Sequence, residues 1–474
     1  MVLDYLIFIN DFLWNNLVLW VLLLGGIFFS VYLGLVQIKQ IGKALKLLLH
    51  NKKTSQKQLS SFQALCTSLA QRVGTGNLAG VATAISAGGE GAIFWMWVTA
   101  LLGGATSFAE CSLAQVFKVK AKDGSFYGGP AYYIHMGLKS KTLAVIFSLF
   151  LIISMGFVLN AVQSNTIAQG LKSSFSLNSS HVGLVLAFFS GLVIFGGLKR
   201  ISVVAQFLVP FMALFYLLLT AFVLVKYFTL LPDLFLRIIN KAFGIESITG
   251  GVIGHGVKQA FRYGVARGLY SNEAGWGSAP NVAASAHVDH PAQQGFMQMI
   301  AVYIDTLVIC SCTAVMILLA PNIDLSETGI ALTQQAAFIH FGNYGTIFIA
   351  IAVMLFGFTT ILGNTFYGEI NIGFLSTKKR YIFIYRLLVL LMVFGGTISQ
   401  VPLVWVMADI MSACMTLINM TVIIILSNIA LKTLKDFSFK TKHHKKIDFC
   451  LQDIGLEITS YDLAFNKKSK IKQK

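Results

Sequence analysis

Two short runs hold the residue types best suited to chemistry: Gly74-Thr75-Gly76-Asn77, and Asn272-Glu273-Ala274-Gly275-Trp276-Gly277-Ser278. Both set glycines among hydroxyl and amide groups, the second with a carboxyl group as well, inside otherwise apolar stretches. A continuous helix loses about 1 kcal/mol for each interior glycine, so each run predicts a place where a helix stops and restarts. Within a membrane such a break leaves backbone N–H groups, with a partial positive charge, at the start of the next half-helix; they suit a carboxylate, and the carbonyls freed before the break suit a cation. The chemistry on offer is therefore the binding of an anionic group and a small cation rather than the making of bonds. Close glycine packing accounts for Gly103-Gly104 and Gly395-Gly396. It does not account for Thr75, Asn77, Asn272 and Ser278, which need polar partners at membrane depth.

Ionisable residues inside the apolar segments include Arg72, Glu110, Glu273, Asp305, Glu369 and Asp409. Intramembrane charge is costly and marks function by default. Glu110, Glu273, Asp305 and Glu369 are the coupling or gating candidates. Glu110 and Glu369 fall near the inner ends of their segments, which favours gate or structural ion pairs with nearby Arg or Lys. Glu273, in the second run, has two readings: it caps freed N–H groups, or it neutralises a cation or carries a proton. An enzyme is not expected, because no GxSxG motif is present, His255 stands alone and His443-His444 lie in a basic tail. The six cysteines show no CxxC spacing, which leaves neither a zinc site nor a disulfide frame. A channel's filter motif or ring of like charges is missing too.

The elements that must position these residues are membrane helices. With 56% hydrophobic and only 12% charged residues over 474 positions, a soluble fold would expose large apolar patches. About 20 apolar residues span the hydrocarbon core. Eleven segments meet or approach that length: 12–37, 62–87, 92–117, 142–170, 181–197, 201–228, 251–287, 293–320, 344–375, 381–398 and 402–431. The fold class is thus an all-α polytopic membrane protein. The two glycine runs lie five segments apart, the spacing of two inverted five-helix repeats. The expected division is an extra N-terminal helix (1–37), a basic loop (38–61), a first repeat (62–228), an outer connection (229–250), a second repeat (251–431) and a basic tail (432–474).

The net charge of +17 is not a nucleic-acid signal, because 27 of the 36 Lys and Arg residues fall in the loops and tail assigned to one side and only Lys172, Lys226, Arg237 and Lys241 to the other. By the positive-inside rule the N-terminus is outside and the C-terminus cytoplasmic. The tail, Lys435 to Lys474, then anchors topology beside anionic lipid. The connections 230–245 and 325–342 have helical apolar spacing and read as outer-surface helices.

RVGTGNLAGVATAISAGGEGAIFWMW (72–97), FAE (108–110), VQSNTIA (162–168), RGLYSNEAGWGSAP (267–280), DT (305–306) and TTILGNTFYGE (359–369) together resemble the alanine/glycine:cation symporter family. The resemblance implies a leucine-transporter-type fold, two inverted five-helix repeats plus one N-terminal helix, in a bacterial inner membrane. It implies sodium- or proton-coupled uptake of a small neutral amino acid, with no cofactor beyond the coupling ion and a monomeric carrier. Carried over by residue, Thr75, Gly76 and Asn77 receive the carboxylate and amine. Gln163, Thr360 and position 364 are side-chain contacts, and Tyr270, Ser271, Gly275 and Trp276 are their counterparts at the second break. A sodium site is implied at the carbonyls of Ala70, Val73 and Phe356 with the hydroxyls of Thr359 and Thr360.

The chain departs from the family pattern at four positions. Asn364 stands where Trp is usual, and Trp276 where Leu or Met is usual. Either Trp276 refills volume lost at 364, or Asn364 makes room and a hydrogen-bond partner for a longer polar substrate such as glutamine or serine. Glu90 and Ser107 also depart, from Pro and Lys, and bear on gating.

Overall fold

The computed structural model describes residues 2–48, 58–121, 124–244, 252–443, 445–457 and 463–465. Eight helices among the described residues are long and apolar enough to cross a membrane: Leu3–Tyr32, Gly91–Val116, Lys141–Phe175, Gly197–Lys226, Pro291–Leu318, Asn343–Leu375, Lys379–Ile398 and Pro402–Ile425. The other three expected segments take a different form for physical reasons. Ser179–Ile194 is apolar but only 16 residues long. The remaining two are interrupted at the glycine runs.

The first interrupted segment starts with a reciprocal cap, in which Ser60 and Gln63 each satisfy the other's backbone N–H. Its helix, Ser61–Arg72, ends where Val73 turns to ψ 84°, and helical backbone resumes at Gly76–Gly80 and Val81–Gly88. Asn77 bridges the gap by accepting the Gly74 N–H at 2.9 Å. In the second, Val252–Asn272 ends against three positive φ angles, Glu273 (53°), Gly275 (89°) and Gly277 (79°), and Ala279–Ser285 restarts with Pro280 in its first turn. Gly275 and Gly277 adopt that backbone without a Cβ penalty, which is why glycine is needed there.

These half-helices sit against long neighbours. Gly91–Val116 packs along Val252–Asn272 and Pro291–Val302, while Leu159–Phe175 packs along Asn343–Leu375 and Lys379–Ile398. At the lysine-rich face the two interrupted segments are fastened together. Leu59 pairs with Ala286 as a parallel bridge, and the His287 N–H donates to the Leu59 carbonyl at 2.9 Å.

Both amphipathic connections are helices, Leu231–Phe243 and Gly329–Phe341. The N-terminal helix begins some ten residues before the expected position, since Asp4 and Asp11 do not interrupt it and Asp11 pairs with Arg262 at 2.6 Å. It ends at Tyr32, five residues early, because Gly34 and Leu35 turn left-handed.

The lysine-rich face also carries elements that composition alone did not suggest: a hairpin of Val119–Lys120 with Phe126–Tyr127, and a helix Ser427–Lys442. The described part of the tail folds back on the protein. Ala464 donates its N–H to the Lys118 carbonyl at 3.1 Å, and Leu451 to that of Phe465 at 3.3 Å. The buried Lys118 ammonium bonds the Ala286 carbonyl at 2.9 Å between the rings of Phe126 and Phe465. Asp436 holds His290 at 3.0 Å and Lys440 at 2.7 Å, and Lys440 reaches Asp453 at 2.9 Å. The tail's last lysines, Lys467 to Lys474, lie outside the described residues, as do His444, much of the basic loop and positions 245–251.

Candidate functional site

The two interruptions face one another across a small buried cavity lined by Gln71, Arg72, Gly76, Leu159, Gln163, Tyr270, Glu273, Thr360 and Asn364. Gly76, Gln163, Tyr270, Thr360 and Asn364 were named from the sequence as substrate contacts, and Glu273 as a coupling candidate. Arg72 was named only as an intramembrane charge, and Gln71 and Leu159 not at all. The backbone at the first break is tied to this wall: the Thr75 N–H donates to Gln163 Oε1 at 3.1 Å. Gly74 must be glycine for a separate reason, because a Cβ there would stand 2.4 Å from the Thr360 hydroxyl and 3.1 Å from Gln163 Oε1.

Thr360 also touches the expected cation shell. Its hydroxyl lies 3.0 Å from the Ala70 carbonyl and 2.9 Å from that of Phe356. One hydroxyl thus joins carbonyl oxygens of two helices, and oxygen is the ligand type a hard monovalent cation takes. Thr359 joins them through the same Phe356 carbonyl at 3.0 Å, with Met212 Sδ at 3.7 Å on its far side. Val73 closes the first half-helix, its N–H bonded to Leu69 at 2.7 Å.

The other named residues occupy distinct positions. Asn77 and Ser271 point to Asp305: Asn77 Nδ2 donates to its carboxylate at 2.7 Å, and the hydroxyls of Ser271 and Thr306 at 2.8 Å each. This joins both breaks to the helix that follows the second. Trp276 is fully buried outside the cavity lining, edge-on to Tyr270 with ring centroids 5.7 Å apart. It therefore backs Tyr270 and does not refill the space at Asn364.

The carboxylates divide the labour in a way the sequence did not reveal. Glu110, expected in an inner-end ion pair, caps the second break: it accepts the N–H groups of Gly275 at 3.3 Å and Gly277 at 3.2 Å, and the Asn419 amide at 2.9 Å. The turn frees these N–H groups from helical partners, and a carboxylate is the strongest acceptor for them. Glu273, for which capping was one reading, bonds side chains, Gln71 Nε2 and the Ser278 hydroxyl, and faces the cavity. Asn272 supplies the remaining cap, accepting the Ala274 N–H at 3.1 Å. Glu369 does form the expected ion pair, with both its oxygens on Arg386 at 2.6 and 2.9 Å.

The departures have partners as well. Ser107 accepts from Arg72 at 3.3 Å, a contact that a lysine would replace with like-charge repulsion. Glu90 meets Arg237 of the amphipathic helix Leu231–Phe243 at 3.6 Å.

Known proteins agree in kind. The sequence profile described as the sodium:alanine symporter family matches residues 1–450. The amino-acid carrier protein AlsT of Bacillus subtilis is 45% identical over 91% of this chain and 91% of that protein. The sodium/alanine symporter AgcS of Methanococcus maripaludis is 38% identical over 92% and 98%. The sodium/proton-dependent alanine carrier protein of Bacillus sp. strain PS3 is 33% identical over 85% and 94%. Among solved structures, the Eremococcus coleocola manganese transporter covers 81% of both chains at 11% identity, with a TM-score of 0.48 that is too low to bear on topology.

Proposed function

The chain belongs to the sodium:alanine symporter family, and from that membership we propose that it carries a small neutral amino acid, alanine or glycine first, into the cell together with sodium. The observation that supports this most is the placing of two helix interruptions across one buried cavity, with Gln163 and Thr360 bonded to the first of them. The amino acid's carboxylate would meet the start of the half-helix at Gly76–Asn77, where N–H groups and the helix dipole favour an anion. Its ammonium would meet Glu273. Sodium, as co-transported substrate, would lie among the oxygens of Ala70, Val73, Phe356, Thr359 and Thr360 and order the first break before the amino acid binds.

The reading includes the eleven-segment arrangement of two inverted five-helix repeats and the N-out, C-in orientation in a bacterial cytoplasmic membrane. It also includes a monomeric carrier whose tail meets anionic lipid. Rocking of the two interrupted segments and the two helices that follow them then exposes the cavity to the other side. Each ligand shifts that equilibrium only by the amount it prefers one state.

A proton-coupled carrier of the same fold is the second reading. Asp305 supports it, as a carboxylate fully buried between the breaks and bonded only to neutral donors. The test is uptake of labelled alanine into proteoliposomes at fixed pH, with sodium replaced by choline. Sodium coupling predicts loss of uptake in choline. Retention, with uptake following an imposed pH gradient instead, would select the proton reading.

A further inference from the structure

One wall of the cavity is a chain of side-chain amides whose direction is fixed at both ends. The Gly156 carbonyl can only accept, so Asn160 turns its Nδ2 to it at 2.9 Å and presents Oδ1 the other way. That oxygen accepts Asn364 Nδ2 at 3.0 Å, which leaves Asn364 Oδ1 to accept Gln71 Nε2 at 3.1 Å. The second N–H of Gln71 goes to the Glu273 carboxylate, again a pure acceptor. No amide in the chain can be turned over without setting two donors or two acceptors face to face. Gln71 Oε1 is consequently left with no hydrogen-bond partner, on a side chain 2% exposed that lines the cavity. A buried acceptor in that condition costs about 1–3 kcal/mol until something donates to it.

We infer that the occupant's side chain supplies the donor: the carrier selects neutral amino acids whose side chain ends in O–H or N–H, a hydroxyl or carboxamide, and Gln71 is the residue that selects them. This rests on the amino-acid reading above and reverses its order, placing serine or glutamine ahead of alanine and glycine, which carry no side-chain donor. The ammonium group is the less suited partner, because the Glu273 carboxylate faces the same cavity and offers it a full charge. A cationic side chain is opposed by Arg72 and an anionic one by Glu273, both on the same lining. A site built to hydrogen-bond a substrate group discriminates strongly against the isostere lacking it, whereas an apolar pocket discriminates weakly.

Isosteric pairs test this in proteoliposomes loaded by sodium-driven uptake of labelled alanine: serine against 2-aminobutyrate, and glutamine against methionine. The expected result is that the polar member of at least one pair competes at a concentration about tenfold or more below its apolar isostere. In Gln71→Met, which keeps the side chain's length, that ratio falls to about one. The ratio is taken within each preparation, so a poorly folded variant does not imitate the effect. Ratios at or below one for both pairs in the unmodified protein, with alanine uptake intact, overturn this inference alone. A ratio unchanged in Gln71→Met overturns the assignment to Gln71. Absence of amino-acid uptake altogether overturns the reading beneath it as well.

Discussion

The hydroxyl of Thr360 lies 3.0 Å from the carbonyl of Ala70, so the 33-residue helix Asn343–Leu375 is tied to the last turn before the first break. Removing that oxygen while keeping the side chain's shape should weaken the proposed cation shell more than the fold. Thr360→Val is expected to raise the sodium concentration for half-maximal alanine uptake by at least about tenfold, equivalent to about 1.4 kcal/mol. Uptake measured over a sodium titration checks this, and an unchanged midpoint would place sodium elsewhere.

Glu110 holds the second break through two backbone N–H groups and Asn419. Glu110→Gln replaces one acceptor oxygen by a donor that confronts an N–H. Charged hydrogen bonds contribute roughly 1.5–3 kcal/mol, so uptake should fall more than tenfold with a lowered melting temperature. A variant with normal melting and normal uptake would show that the cap is dispensable.

Gly74→Ala should abolish uptake. The new methyl would lie 2.4 Å from Thr360 Oγ1, closer than real Cβ contacts come, and the Thr360 hydroxyl is already fixed by two carbonyls. Gly34→Ala, where nothing lies within 4 Å of the added carbon, serves as the control for glycine loss in general. Gly34 is itself left-handed, with φ 67°, so it costs some stability but not transport. Equal uptake in both variants would sink the close-approach explanation.

How much of this was legible in the sequence follows from the range of each interaction. The glycine runs announced both breaks because a local backbone rule governs them, and Gln163 and Thr360 came to the site through motifs. Gln71 gave no sign: it sits in an ordinary helical stretch, and its importance lies in partners at 273 and 364. Glu110 was misjudged for a similar reason. Its depth suggested an ion pair, whereas the donors it meets are backbone groups 165 and 167 residues away that only the folded turn exposes. Glu369 was read correctly because its partner, Arg386, is just 17 residues on, in the next helix.

The Glu369 and Arg386 side chains are 3% and 16% exposed, so their attraction is little screened. Glu369→Gln leaves a guanidinium buried without its counter-charge and should destabilise by about 3–5 kcal/mol. Replacing both, Glu369→Gln with Arg386→Gln, should recover most of that loss. Thermal unfolding of the two single variants and the double variant measures the coupling, and additive losses would mean that the pair is not a unit.

Docking of the tail should depend on pH through Lys118. Burial between Phe126, Phe465 and Ala286 pushes its ammonium down to about 7, from roughly 10.4 in an exposed lysine. The docked state therefore disfavours the proton: its stability is full above the exposed value and is lost as pH falls towards 7. Three neighbouring groups are held away from that window. Burial acts to raise Asp436, but the bonds from His290 and Lys440 keep it below the usual carboxylate range, and burial holds His290 below the usual imidazole range. Burial acts to lower Lys440, but Asp436 and Asp453 hold it above the usual lysine range. Proteolysis of the tail, normalised to an unfolded peptide at each pH, should be several-fold faster at about pH 7 than at about pH 8.5. Equal rates would show that Lys118 stays covered whether or not the tail is docked.

The bridge between Leu59 and Ala286, with the His287 amide on the Leu59 carbonyl, makes a stapled joint of two segments more than 200 residues apart in the chain. Parts pinned at one end turn about the pin, so the first half-helix and the stretch after the second break share a pivot rather than hinging separately. The His287 amide then serves as a clock for that pivot. Its deuterium uptake stays slow while the joint turns as a whole, and quickens in any state that pulls the two strands apart.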